Sequence, residues 1–393
     1  MPDFPRSLIE FQSRFPDEAA CVAYLFTARW RHGFVCPACG GSKAWQLQTK
    51  AWTWECAGCG KQTSVTAGTI MHHSKLPLTT WFWAAYLMAT HSNGISALQL
   101  QRQLALGSYK SAWLMAAKLR RSMVVPGRSA LAGWVEVDET EIVCRSKNDP
   151  LTGGGGRSHQ GKILVVGAVE IEDGGAGPGR IRLSQVPDYS ARSLHSFLKT
   201  NLAPGATAKT DGWPGYPGAP GVNHDPHVVG KMAAHIILPW AHRVFSNLKI
   251  WALGVYHGLR RKHLQIYLDE FVFRFNRRHT RHAAFRSLLN IAAAHPPMTY
   301  NMLISPEAKA QAFLAIIFLL FIAAIVGLDH RACAVFGGLE DGLDFGIFEL
   351  VEAFAFYILP LHFEYSGLRP FAVSTKANVA NDRVERMAVD VVG

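Results

Sequence analysis

The sequence is poor in cysteine, with 7 in 393 residues. Secreted scaffolds held together by disulfides are shorter and much richer in cysteine, so this class is excluded. The first residues, MPDFPRSLIEFQSRF, also lack the apolar run of a secretory signal peptide. We therefore expect a cytoplasmic protein.

Acidic residues are in short supply as well. The 29 Asp and Glu residues face 40 Lys and Arg, which gives a net charge of +11 and a pI near 9.4. A basic balance favours an anionic partner, either nucleic acid or a membrane surface. The excess is confined to about the first 300 residues, and the remainder is net acidic. Because 49% of the residues are hydrophobic, wholesale disorder is excluded, and the length suits two or three domains.

Four of the cysteines occur as two close pairs. Cys36 and Cys39 lie in CPACG, and Cys56 and Cys59 lie in CAGCG, with 16 residues between the pairs. This spacing is typical of a zinc ribbon, in which four thiolates close a tetrahedral site. Because no coordination position stays open, the Zn²⁺ is expected to be structural.

A helical region follows the cysteines. Apolar spacing predicts helices over residues 78–90, 96–104 and 109–123, separated by the turn sequences HSNG and LGS. A short helix, a tight turn and a longer helix fit a helix-turn-helix, and a plain helical bundle remains the alternative. The last helix ends in KLRRSM, whose candidate DNA contacts are Lys118, Arg120 and Arg121.

The hydrophobic period then changes from helical spacing to two. Strands are predicted at GWVEVDETEI, KILVVGAVEI, GRIRLSQVPD and ATAKT, with an amphipathic helix at ARSLHSFLKTNL. Residues 239–290 return to a helical and basic pattern. This order predicts an α/β fold in which helices pack on a mixed sheet.

Two aspartates stand out on the predicted strands. By alternation, Asp138 lies on the face opposite Val135 and Val137, and Asp211 is the last residue before the turn GWPG. A solvated edge strand and an ordinary turn aspartate are the alternatives. Two carboxylates at strand ends suit Mg²⁺ or Mn²⁺, and such ions can clamp the two oxygens of a reacting phosphodiester.

A third ligand is expected on a following helix. The amide oxygen of Asn247 is one candidate, with Lys249 close by in the sequence to meet phosphate. His242 lies two helical turns before Lys249 on the same face. Glu270 is the remaining carboxylate candidate, and each of these residues also has an ordinary surface-helix interpretation.

The same region is basic and rich in aromatic residues, which favours a surface that faces DNA. The candidate DNA contacts here are Arg243, Arg260, Arg261, Lys262, Arg274, Arg277 and Arg278.

Several motifs occur together in a specific order: CPACGG, CAGCGKQTSVTAGTIMHHSKLPLTTWFWAAYLM, VEVDETEI, TDGWPGY, HRVFSNLKIWALGVYHGL and YLDEFVFRFNRR. Over about residues 8–305 the chain resembles bacterial insertion-sequence transposases of the zinc-ribbon group, the ISXO-two-like or IS fifteen-ninety-five family. The resemblance implies an RNase H-like, DDE-type domain that cuts element ends and transfers strands into target DNA with Mg²⁺ or Mn²⁺.

The resemblance also implies roles for individual residues. Asp138 matches the first catalytic acid and Asp211 the second. The third position in this family is often Asn with a nearby Lys, which points to Asn247 and Lys249. His242 and Glu270 remain alternatives. Partners are then the terminal inverted repeats and target DNA, and by analogy a second copy of the chain.

Four segments are expected. They are a lead-in helix with the zinc ribbon (1–75), a helix-turn-helix-like segment (76–128), the transposase domain (129–305) and an unrecognised apolar and acidic appendage (306–393). The uncharged stretch at 312–328 has 17 residues, short of the roughly 20 that a membrane span needs, so a membrane is not expected as a partner. Two other functions remain open: a catalytically inactive zinc-ribbon DNA-binding protein, and a metal-dependent nuclease of the same fold.

Overall fold

The computed structural model describes residues 4–125, 127–144, 160–228, 234–256 and 259–304. The predicted appendage at 306–393 lies outside the described residues. The helices are α1 Leu8–Arg14, α2 Glu18–Arg29, α3 Leu78–Thr90, α4 Ala97–Gln103, α5 Tyr109–Arg121, α6 Ala191–Asn201, α7 Ala234–Ile237, α8 Pro239–Tyr256, α9 Leu264–Phe275, α10 Arg281–Ala294 and α11 Tyr300–Ile304. The strands are β1 Ala44–Gln46, β2 Thr53–Cys56, β3 Gln62–Ser64, β4 Trp134–Val143, β5 Lys162–Ile171, β6 Pro178–Val186, β7 Thr207–Thr210 and β8 Asn223–Pro226.

Five helices, α1, α2, α4, α5 and α6, begin at a residue whose side chain caps them. At each of these positions a hydroxyl or carboxylate oxygen accepts a backbone N–H of the first turn, which satisfies a donor that the helix leaves unpaired. The capping residues are Ser7, Asp17, Ser96, Ser108 and Ser190. The three helices predicted over 78–123 are present with bounds close to those expected.

The larger sheet has five strands in the order β6-β5-β4-β7-β8. Strands β4, β5 and β6 are antiparallel neighbours, whereas β7 runs parallel to β4 and β8 runs parallel to β7. Helix α6 provides the crossover that a parallel connection requires. The prediction of a mixed α/β sheet with flanking helices is confirmed.

Both faces of this sheet are covered. Val135 and Val137 face a cluster that includes α6, and the opposite face packs against α8 and α9. Strand β4 is therefore a central strand, and the alternative of a solvated edge strand is wrong.

A second core joins the two ends of the described chain. Phe285 on α10 packs its ring 5.6 Å from that of Phe11 on α1 and 6.3 Å from that of Phe82 on α3. Helix α10 thus completes the amino-terminal helical core, although the sequence assigned it to the segment 129–305. The boundaries between the four expected segments stay predictions.

Among the described residues, no helix combines the length and apolar character needed to cross a membrane.

Candidate active site and zinc ribbon

The four paired cysteines converge on one point. Their Sγ atoms all lie within 4.8 Å of one another. The two pairs lie on two backbone turns of the same kind. Gly40 donates its N–H to the Cys36 carbonyl in one turn, and Gly60 donates its N–H to the Cys56 carbonyl in the other, both at 2.9 Å. Both glycines have positive φ, +72° and +68°, which favours glycine at these positions. A four-thiolate set with no open position fits a structural Zn²⁺.

The two aspartates are brought level by strand pairing. In the parallel pair, Val135 lies opposite Ala208 and Glu136 opposite Lys209. Continuing this register by two positions places Asp211 beside Asp138, one residue beyond the end of β7. The Trp213 N–H donates to Asp211 Oδ1 at 3.0 Å and fixes the orientation of that carboxylate.

Asp138 is a buried carboxylate among other negative charges. Its side chain is almost enclosed, and burial, followed by the charges of Asp211 and Glu136, raises its pKa to about 7. The Glu139 N–H, which donates to Oδ1 at 2.8 Å, and the ammonium of Lys249 act in the opposite direction. Clustered buried carboxylates are the environment that a divalent cation relieves.

Helix α8 is anchored to the sheet beside Asp138. The Glu136 carboxylate accepts the N–H groups of Trp240 and Ala241, both at 2.8 Å, in the first turn of the helix. Pro239 occupies the first helical position, where its missing N–H costs nothing. A buried carboxylate therefore caps α8 and fixes its start on the same face of β4 as Asp138.

A glycine allows the helix to lie close to the sheet. Gly167 on β5 pairs with Asp138, and a Cβ at this position would lie 2.5 Å from the ring of Phe245 on α8. The ring occupies the space that a side chain would fill. This approach brings His242 Nε2 to 3.4 Å from Asp138 Oδ2.

The structure distinguishes between the candidates for the third position. His242 and Lys249 share the helix face towards Asp138, since both interact with it. Asn247 is exposed and lies roughly 140° around the helix from His242, at about 100° per residue. The structure brings together Asp138, Asp211, His242 and Lys249, and it leaves Asn247 on another face.

Glu270 is also absent from this group. It is completely buried on α9, where it accepts a hydrogen bond from Arg120 Nε at 2.6 Å and one from the Tyr256 hydroxyl at 3.0 Å. The structure thus places Glu270 in this ion pair and not among the residues gathered around Asp138. The Arg120 side chain is enclosed by the same pair and has no exposed surface with which to meet DNA.

Other predicted DNA contacts are also engaged within the protein. Arg274 donates to the carbonyls of Met88, His91 and Ser92 at the end of α3. Arg277 stacks on Phe273 and Arg278 on Phe275. Lys118 and Arg121 are half-buried, and the candidates that remain exposed are Arg243, Arg260, Arg261 and Lys262.

One further residue of this site, Glu139, is not among the residues predicted from the sequence. Burial, together with the charges of Asp138 and Asp211, raises the pKa of Glu139 to about 7. Its Oε1 atom is buried and makes no hydrogen bond within the described part of the chain. The signal was present, because alternation places Glu139 on the inward face of Val135 and Val137.

The comparisons with known proteins agree with the two halves of this description. Residues 130–276 match the ISXO2-like transposase domain, and residues 16–62 match the transposase zinc-ribbon domain. The match to the transposase zinc-ribbon domain therefore precedes the match to the ISXO2-like transposase domain along the chain. The family resemblance inferred from the sequence is thereby confirmed.

A curated relative comes from a mobile element. It is an uncharacterized protein in transposable element ISH50 of Halobacterium salinarum, 28% identical over 133 residues. The match covers 32% of this chain and 42% of the relative, so it spans less than half of that protein.

Proposed function

We propose that this protein is the DNA transposase of an insertion sequence, which cuts the ends of its element and joins them to target DNA with Mg²⁺ or Mn²⁺. One observation carries the proposal. Within a transposase-family domain, strand register sets two aspartates side by side, and a capped helix sets His242 Nε2 3.4 Å from one of them.

The topology supports an RNase H-like fold for the domain. Three antiparallel strands are followed by two parallel strands, and the order β6-β5-β4-β7-β8 puts β4 at the centre. In such a sheet the Asp138 strand and the end of the adjacent β7 form one platform, onto which α8 adds the remaining side chains.

Asp138, Asp211 and His242 are the residues that would hold the metal. The donor set suits the task, because buried carboxylates attract a hard cation and imidazole extends the set towards Mn²⁺. Each aspartate has its Oδ1 fixed by a backbone N–H, from Glu139 and Trp213 respectively. When bound, the ion activates a water or a 3′-hydroxyl and offsets charge on the phosphate.

Lys249 supplies positive charge on the same helix face. We assign it to a non-bridging oxygen of the reacting phosphate, a contact that a compact ammonium makes as a point charge. The exposed residues Arg243, Arg260, Arg261 and Lys262 extend the cationic surface along the DNA backbone. The partners are then the element's inverted repeats, target DNA and a second copy of the chain, and the setting is the cytoplasm.

The choice of His242 over Asn247 is tested by metal binding. Calorimetric titration of the zinc-loaded protein with Mn²⁺ should show a site that weakens in His242→Ala and persists in Asn247→Ala. Both residues lie on α8, so the second variant is a matched control. Loss of the site in Asn247→Ala and its retention in His242→Ala would contradict the assignment.

Strand-transfer products separate the proposed activity from a nuclease of the same fold. A nuclease releases cut DNA only, whereas a transposase joins the 3′ end of the element to a new strand. An inactive DNA-binding protein would retain DNA and give neither product.

A further inference from the structure

Trp213 is an exposed indole in the turn that carries Asp211. Its side chain is 41% exposed, although the neighbouring site residue Asp138 is buried and Glu139 is half-buried. The ring is nevertheless held in place, since its Nε1–H donates to the Tyr189 carbonyl at 3.1 Å. An exposed aromatic ring with a fixed orientation is prepared for a partner that arrives from solution.

The ring is fixed relative to both aspartates. The Tyr189 hydroxyl donates to the Thr140 carbonyl at 2.9 Å, two residues beyond Asp138 on β4. The Trp213 N–H donates to Asp211 in the adjoining turn. The indole is therefore connected through Tyr189 to the strand of the first aspartate, and the backbone of the same residue, Trp213, holds the second.

Small residues define which side of the ring is covered. A Cβ at Gly215 would lie 3.1 Å from Trp213 Cδ1, so the five-membered part of the indole rests on this glycine. Val228, which is 78% exposed, packs against Gly212 in the same turn. Trp213 follows Gly212 in the chain, and we name these two exposed apolar side chains, Trp213 and Val228, the shelf.

We propose that this shelf, Trp213 with Val228, is a subsite that stacks an unpaired nucleobase next to the phosphate being cut. The inference rests on the proposed function. Every base has a flat π-face, and stacking of that face on an aromatic side chain tolerates any sequence. Phosphates are attracted by Lys249 instead. A base can stack on Trp213 only outside the duplex, so its capture would stabilise local opening of the DNA beside the phosphate being cut.

The test uses forked DNA that carries 2-aminopurine as its first unpaired base, with a fully paired duplex for comparison. The protein carries Asp138→Asn so that the DNA stays intact. Stacking on Trp213 should quench the 2-aminopurine fluorescence. Trp213→Ala should abolish the quenching and weaken binding to the fork by about tenfold, with paired DNA unaffected. Trp213→Phe should retain most of both.

Trp134 provides a matched control. It is 56% exposed and lies at the start of β4, away from the shelf. Trp134→Ala should leave quenching and fork affinity unchanged. An abasic site at the unpaired position should lower the affinity of the Trp213 protein and have no further effect on Trp213→Ala.

The inference is overturned if Trp213→Ala binds forked DNA and quenches its fluorescence as before. It is also overturned if the substitution weakens binding to paired and forked DNA equally. Circular dichroism confirms that the variants are folded. The proposed function fails separately: quenching without cleavage by the unmodified chain would retain the subsite and reject the transposase. If the unmodified chain and Trp213→Ala cleave both paired and forked DNA equally well, the transposase is retained and the subsite is rejected.

Discussion

At the residue scale, the burial of Asp138 is the main indication of a metal site. Its burial would be costly for a residue with only a structural role, because a charged carboxylate loses its hydration there. Strand register adds Asp211, and α8 adds His242 on the same side. The combination suits a metal site and explains why a carboxylate is retained on a central strand.

Burial of these carboxylates predicts that stability falls as the pH rises. Burial raises the pKa of Asp138 from 3.8 and that of Glu139 from 4.5, each to about 7. The unfolded groups therefore ionise first, and the neutral folded form is favoured below about pH 4. This contribution is lost as the pH rises to about 7. Each tenfold difference in proton affinity between the folded and unfolded states corresponds to about 1.4 kcal/mol.

The measurement is chemical denaturation in Mg²⁺-free buffer, with zinc retained, between pH 5 and 8. Asp138→Asn should flatten the profile and be more stable than the parent at pH 8. An unchanged profile in this variant would mean that Asp138 does not determine the pH dependence.

The presence of His242 in the site predicts a preference for Mn²⁺ over Mg²⁺. Imidazole suits Mn²⁺ better than Mg²⁺, whereas a carboxylate suits both. His242→Glu should therefore shift the ratio of Mn²⁺-supported to Mg²⁺-supported cleavage by about tenfold towards Mg²⁺. His242→Ala is the control and should lose activity with either ion. An unchanged ratio in His242→Glu would remove His242 from the site.

The aspartates could be predicted from the sequence, because alternation and a turn signal place them. The third residue could not. The choice between His242 and Asn247 depends on which face of α8 meets the sheet. That face is set by Phe245 over Gly167 and by the Glu136 cap, which are contacts between distant parts of the chain.

At the scale of elements, the seating of α8 on β5 controls the site. Gly167→Ala should push Phe245 outwards and cost about 1–3 kcal/mol of stability. Displacement of His242 by about 1 Å should lower cleavage further, by about 100-fold. Urea denaturation and cleavage assays measure the two effects.

Gly254, also on α8, is the matched control. A Cβ there meets nothing within 4 Å. Gly254→Ala should be neutral or stabilising by up to about 1 kcal/mol, since alanine favours helix. Equal losses in the two variants would show that the tight approach at Gly167 is not what positions α8.

Substitutions in the Arg120–Glu270 pair are predicted to change the stability of the protein and not the chemistry of the site. Glu270→Gln leaves a buried guanidinium without its counter-charge and should cost about 3–5 kcal/mol. The double variant Arg120→Met, Glu270→Leu should recover much of that stability and of the cleavage, measured by denaturation and gel assay. Loss of cleavage in a stable double variant would return Glu270 to the catalytic group.

Many elements followed from period and turn chemistry, including α3–α5 and strands β4–β7, whereas β8 was not predicted. The surroundings of α5 did not. A basic helix end suggests a DNA contact, but α5 packs on α9 and its Arg120 finds Glu270 there. A partner 150 positions away cannot be read from local sequence.

At the scale of the molecule, segments that are distant in the sequence pack together in one core. Helix α10 lies beyond the five-stranded sheet in the sequence yet packs with α1 and α3. The amino-terminal core and the sheet domain are thus connected by more than one chain crossing. The sequence predicted the ribbon and the sheet as separate patterns. The packing of α10 on α1 and α3 could not be predicted, because it depends on apolar contacts between residues that are distant in the sequence.

The most direct test of the central claim is a donor-plasmid transposition assay in cells. It compares the intact chain with Asp138→Asn and Asp211→Asn, and includes a chain that ends at residue 309. The account predicts that the intact or shortened chain moves the element and that both aspartate variants abolish movement while DNA binding persists. Movement by either aspartate variant, or silence of the intact and shortened chains alike, would contradict it.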